Sequence, residues 1–142
     1  MRLVDEYLAA LETADVPRVL ALFTGDATVN SPLYGVVPAR EFYPRLFGDT
    51  AQSKLRLRSV MTGGTTDHRP TVGFWFDFDW TLADGTPAPF TVVDVAELDE
   101  EQRITSLHIL YDTAPLRASF DALTAPAPAP EPSVEPRPHL PS

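Results

Sequence analysis

One acidic residue in an otherwise apolar strand is the first chemical oddity of this chain. In PFTVVDVAEL, Pro89 to Leu98, Asp94 stands among β-branched and aliphatic neighbours, although strand centres disfavour Asp. Phe90, Val92 and Asp94 share one parity, while Thr91 and Glu97 take the other. The assignment that leaves most charges in water turns Asp94 inward, toward aromatic and aliphatic side chains. Desolvation there favours the neutral acid, and no Lys or Arg occupies the inner positions to hold an anion. A protonated carboxyl in a dry pocket is a hydrogen-bond donor that stabilises charge developing on a substrate oxygen. The strand pattern leaves open a second reading, a structural carboxyl bonded to a loop or to backbone groups.

Other reactive constellations offer less. The chain has no cysteine, which excludes disulfides, thiolate metal sites and Cys nucleophiles. His68, His108 and His139 fall on a turn, an outward strand position and the C-terminal segment, so no metal site is expected. GGTT lacks the Lys and the helix of a phosphate loop and reads as a hairpin connection. No cofactor is called for.

The elements that must position Asp94 follow from periodicity. Val4, Tyr7, Leu8 and Leu11 recur at helical spacing, and a second short helix follows DVP. ATVNSP reads as a brief strand, and PAREFYPRLFG as a third helix interrupted by Pro44. From Ser53 the period becomes two, giving a four-stranded antiparallel meander, and APLRASFDAL adds one or two helical turns. Phe74, Phe76, Phe78 and Trp80 share an inner face, as do Leu55, Leu57 and Met61. The expected register sets Arg56 across from Asp79 and Arg58 across from Asp77 on the wet face. It also sets Phe90, Val92 and Asp94 across from Trp80, Phe78 and Phe76, with Leu107, Ile109 and Tyr111 on the far side against Asp94, Val92 and Phe90. Residues 1–123 read as one domain and 124–142 as a disordered Pro/Ala-rich tail.

The net charge of -9 opposes nucleic-acid and anionic-membrane partners, which are themselves polyanionic. MRLVDEYLAALE carries charges inside its apolar pattern, so neither a signal core nor a membrane span is expected there, and a cytoplasmic location is.

YLAALETAD from Tyr7, LFTGDATVNSP, and VVDVAELDEEQRITSLHILY together resemble the bacterial ketosteroid isomerases and SnoaL-like polyketide cyclases of the nuclear transport factor two fold. The resemblance implies an α+β fold, a cone-shaped barrel of curved antiparallel sheet wrapped around three N-terminal helices. It places an oxyanion hole on Tyr7 and protonated Asp94, an arrangement for which ketosteroid isomerase is itself the standard example. It also places a supporting Tyr at Tyr43, with Phe23 where some members carry a linking Tyr. Ser31 occupies the position of the family's Asp base, and an unassisted hydroxyl is too weak a base for a carbon acid. Ser31 is therefore expected to bind a substrate oxygen or a water, with Glu41 a substitute base if the third helix turns it inward. Asn30 resembles a feature of the limonene-type epoxide hydrolases, but Ile109 stands where one of their acids would be.

The resulting expectation is an isomerase or cyclase for a hydrophobic polycyclic or polyketide-like molecule. The substrate would be held by Tyr43, Phe76, Phe78, Trp80, Phe90, Val92, Leu107, Ile109 and Tyr111. A non-catalytic hydrophobic-ligand-binding domain of the same fold is the alternative. A homodimer through the outer sheet face is implied by the resemblance.

Overall fold

The helical spacing of Val4, Tyr7, Leu8 and Leu11 becomes the buried face of α1 (Arg2–Glu12). The computed structural model describes residues 1–124; residues 125–142, almost all of the expected tail, lie outside them. Asp15 caps α2 (Val16–Leu20) by accepting from the Arg18 backbone N–H at 3.1 Å, with Pro17 in the first turn. β1 (Phe23–Ser31) then turns through Pro32, Leu33 and Tyr34 into β2 (Gly35–Pro38), a short strand that periodicity does not reveal. Gly35 makes this turn possible with φ of 83°. α3 (Ala39–Gly48) accommodates Pro44 on its exposed side and buries Ala39, Phe42, Tyr43 and Leu46.

The remaining strands are β3 (Thr50–Gly64), β4 (Pro70–Leu82), β5 (Phe90–Leu98) and β6 (Ile104–Leu110). They form a curved six-stranded sheet in the order β2-β1-β6-β5-β4-β3. The α+β class and curved cone-like sheet are as the resemblance implies, with two particulars it does not give. β1 pairs with β6 in parallel, and β2 and β3 are edge strands, each paired on one side only, so the sheet is open. Parallel pairing suits strands joined by a long crossover rather than a hairpin. A fourth helix, α4 (Ala114–Thr124), is longer than the expected one or two turns and buries Leu116 and Phe120.

Up to the bulge in β3 the faces fall as alternation predicts, but the registers do not. Asp94 lies opposite Phe74 on one side and Ile109 on the other, two residues from the expected pairing with Phe76. Leu107 pairs with Ala96 instead of Asp94. An even slip keeps every side chain on its own face, which is why Asp94 still points inward. Arg56 lies opposite Asp77, not Asp79, and the register breaks between Leu57 and Ser59. Arg58 is the extra residue of this bulge. Both guanidinium groups consequently reach Asp77, Arg56 at 2.7 Å and Arg58 at 2.8 Å, and hold its carboxyl down to about 2. The bulge also reverses parity beyond it, so Met61 is 47% exposed rather than inward.

Leu107 is fully buried in the sheet beside Val29 and Ala96. Leu107→Ala should therefore destabilise the fold by about 2–5 kcal/mol, the usual range for a buried Leu truncation. Urea denaturation followed by circular dichroism checks this.

Candidate functional site

The concave face closes on a small cavity, about 40 Å³ in volume. Tyr7 and Leu11 reach it from α1, Phe42 and Leu46 from α3, and Ser31, Leu33 and Tyr34 from the β1–β2 hairpin. Phe76, Phe78 and Trp80 of β4, Phe90, Val92 and Asp94 of β5, and Ile109 and Tyr111 complete the wall. Most of the expected site residues are thus brought together. Leu107 is not among them, because it packs deeper in the core. Tyr43 stands behind the wall, its hydroxyl 2.8 Å from that of Tyr7.

Asp94 is 1% exposed, and no hydrogen-bond partner reaches its Oδ1 among the described residues. An unpartnered Oδ1 favours a carboxyl open to a ligand over the structural one that would bond to backbone or loop. Burial alone pushes its pKa well above the ordinary carboxylate range, because nothing nearby supplies a compensating positive charge. Burial of this kind favours the neutral acid over the anion.

Tyr7 and Tyr43 are likewise buried, and desolvation raises both phenols far above their ordinary value. Either hydroxyl of this pair is able to donate. Donation from Tyr43 to Tyr7 would leave the Tyr7 proton for the cavity, and donation from Tyr7 to Tyr43 would engage it. Asp94 and Tyr7 are near enough to couple, so ionisation of either would disfavour ionisation of the other.

The Ser31 hydroxyl has a different environment. Its Oγ accepts the backbone N–H groups of Leu33 at 3.2 Å and Tyr34 at 3.1 Å, closing the hairpin loop. With its lone pairs so engaged it has no capacity as a base. Glu41 does not replace it, since α3 turns that side chain to solvent while Phe42 and Leu46 face the cavity. Asp94 is the single carboxylate among the lining residues. Asn30 faces the opposite side of the sheet, where its Nδ2 lies 3.0 Å from Nδ1 of His108. His108 Nε2 lies 3.1 Å from Glu97 on that same outer face.

Sequence reasoning missed Leu11, Leu33, Tyr34, Phe42 and Leu46. Tyr34 is the most consequential, because it stacks edge-on against both Phe42 and Phe120 and donates to Asp49 at 2.7 Å. The available signal was PLYG followed by a short apolar VVP, which is a hairpin turn and its return strand.

Desolvation of Asp94 has a signed consequence for stability. Its folded-state pKa exceeds the unfolded value near ~3.9, so the unfolded state loses its proton first. Asp94 therefore weakens folding as pH rises from the unfolded pKa toward the folded one. Asp94→Asn removes this titration, and its stability relative to wild type should grow between pH 4 and pH 7. Denaturation midpoints across that range check the sign, and the Asp94 carboxyl carbon shift followed by NMR reports the pKa directly.

Comparison with known proteins agrees with this architecture. No curated protein sequence matches the chain. An NTF2-like protein of unknown function from Exiguobacterium sp. 255-15 superposes with a TM-score of 0.65 at 18% identity, covering 78% of this chain and 98% of that one. A second NTF2-like protein of unknown function, from Cytophaga hutchinsonii, gives 0.63 at 23% identity, covering 81% and 91%. The epoxide hydrolase/cyclase-like enzyme SalBIII, of pyran ring formation in the polyether salinomycin, gives 0.64 at 20% identity, covering 78% and 88%. These likenesses establish the NTF2-like fold. The model of the SnoaL-like domain matches residues 4–107, most of the chain, and the protein belongs to that family.

Proposed function

We propose that the protein is an isomerase- or cyclase-type enzyme that polarises a carbonyl or related acceptor oxygen of a hydrophobic substrate through Tyr7 and neutral Asp94. The observation that carries this reading is the buried Asp94 Oδ1, unpartnered among the described residues, in an aromatic cavity. A polar atom kept dry without a partner is costly to the fold, and a ligand oxygen repays that cost. Membership of the SnoaL-like family supports an isomerase, cyclase or ligand-binding role. The SalBIII likeness adds a cyclase-like enzyme of the same fold.

Among the described residues no separate base lines the cavity, which narrows the reaction. Tyr7 and Asp94 lower a barrier when negative charge grows on the acceptor oxygen, each such donor contributing about 2–4 kcal/mol. Ring closure within one substrate uses that stabilisation without a protein base.

A cavity of about 40 Å³ accommodates no more than a few water-sized groups. This small size favours the second reading, a binding domain without turnover, unless the rim yields to the substrate. The rim is aromatic: Phe90 packs on Tyr111 at 4.3 Å, and Phe120 of α4 packs on Tyr34 at 5.1 Å. In either reading, admission of a bicyclic or larger molecule requires these rings to move.

Polarisation is measured directly on 1-tetralone, a bicyclic ketone, by difference infrared spectroscopy. The bound carbonyl stretch should shift to lower wavenumber than in an apolar solvent. Asp94→Ala and Tyr7→Phe should each return part of that shift and weaken binding roughly fivefold. A bound carbonyl with an unshifted stretch would favour the binding-domain reading.

A homodimer belongs to the same proposal. Trp75, Val93 and Leu110 form one row across the outer sheet face, with Trp75 40% and Leu110 57% exposed. A second copy brings the same row against itself in a two-fold contact. Light scattering should give twice the chain mass, and Leu110→Arg should halve it.

A further inference from the structure

The position of the Ser31 proton deepens the reading of the cavity and rests on it. Both lone pairs of Ser31 Oγ are occupied by the Leu33 and Tyr34 amides, and a hydroxyl then retains one function, donation. Two amides on one oxygen also polarise its O–H and strengthen it as a donor. Ser31 is 9% exposed and lines the cavity.

The sheet register fixes where this donor stands relative to Asp94. Asn30 pairs with His108 in parallel, and Asp94 pairs with Ile109 antiparallel. Ser31, Ile109 and Asp94 therefore occupy one row of the concave face, with Ile109 between the two polar residues. Two strand spacings separate their backbones, roughly 10 Å.

We infer that the cavity recognises a ligand with two acceptor oxygens, one held by Tyr7 and Asp94 and the other by Ser31, on opposite edges of a carbon ring resting on Ile109. With each acceptor about 2.8 Å from its donor, the two oxygens lie roughly 4–6 Å apart, which is the span across one six-membered ring. The substrate class is thus a cyclic diketone or quinone-like compound rather than a simple ketone.

Calorimetric titration of the full chain with 1,4-naphthoquinone and with 1-tetralone tests this on one bicyclic skeleton. The chain has no thiol for the quinone to alkylate. Wild type should bind the quinone roughly five- to tenfold more tightly, the worth of one added hydrogen bond. Ser31→Ala should collapse that preference, and Ser31→Thr, which keeps the hydroxyl, should restore it. An unchanged preference in Ser31→Ala overturns the inference. So does a parallel loss of both ligands in that variant, which would mark Ser31 as a turn residue only. A shifted 1-tetralone carbonyl without any quinone preference overturns the two-acceptor inference alone. Failure of both compounds to bind wild type overturns it together with the carbonyl-polarising reading.

Discussion

The burial of one carboxyl group without a cation governs how the rest of the molecule is arranged. Asp94 sits in a row with Phe74 and Ile109, and its neutral form depends on excluding both water and positive charge from that row. Aromatic rings do the excluding. Tyr7 packs edge-on against Phe74 at 5.5 Å, and Phe74 stacks on Phe76 at 5.7 Å, so β4 and α1 together wall off the acid. Moving an Arg to this face would convert the donor into an ordinary carboxylate. The observed segregation, with Arg56, Arg58 and Asp77 outside and rings inside, is thus a condition of the site as well as of the core.

Sheet curvature supplies the concavity in which the rings meet. The bulge at Arg58 adds a residue to β3, and bulges increase local twist. Helices α1 and α3 fill the resulting hollow. Tyr7 and Tyr43 belong one to each helix, and their hydroxyl contact joins the two elements where the acid needs a neighbour. Trp80 Nε1 donates to Thr50 Oγ1 at 2.8 Å, fixing the end of the aromatic row to the start of the edge strand. Packing and polar satisfaction therefore act on the same residues.

Much of this was legible in the sequence, and the reason is parity. The alternation around Asp94 identified its face even though every expected register near it was two residues off, because an even slip leaves faces unchanged. Met61 shows the limit: one bulged residue reverses parity, and composition gives no warning of a bulge at Arg58. The parallel pairing of β1 with β6 depends on strands far apart in the chain, which periodicity does not report. Ser31 was visible as a missing base, but the occupation of its lone pairs follows from a three-residue loop geometry. Cavity volume depends on how Phe76, Phe78, Trp80 and Phe90 pack, and their apolar pattern is the same whether they line a pocket or fill it.

The proton inventory of the site limits its chemistry more tightly than its shape does. On the proposed reading Tyr7, Asp94 and Ser31 each have a proton to share, and among the described residues no other carboxylate or imidazole lines the cavity to remove one from carbon. A reaction that abstracts a carbon-bound proton would have to use water or the deprotonated form of Asp94, which the dry environment disfavours. A reaction in which a substrate hydroxyl attacks within the same molecule makes a lighter demand. Charge would grow on the acceptor oxygen, where the proposed donors would stabilise it, and the proton released from the nucleophile would be returned to that oxygen as the ring closes. The proposed function therefore takes the form of internal addition and ring closure rather than carbon-acid isomerisation, with Ser31 in place of an Asp base as the point where the two chemistries would part.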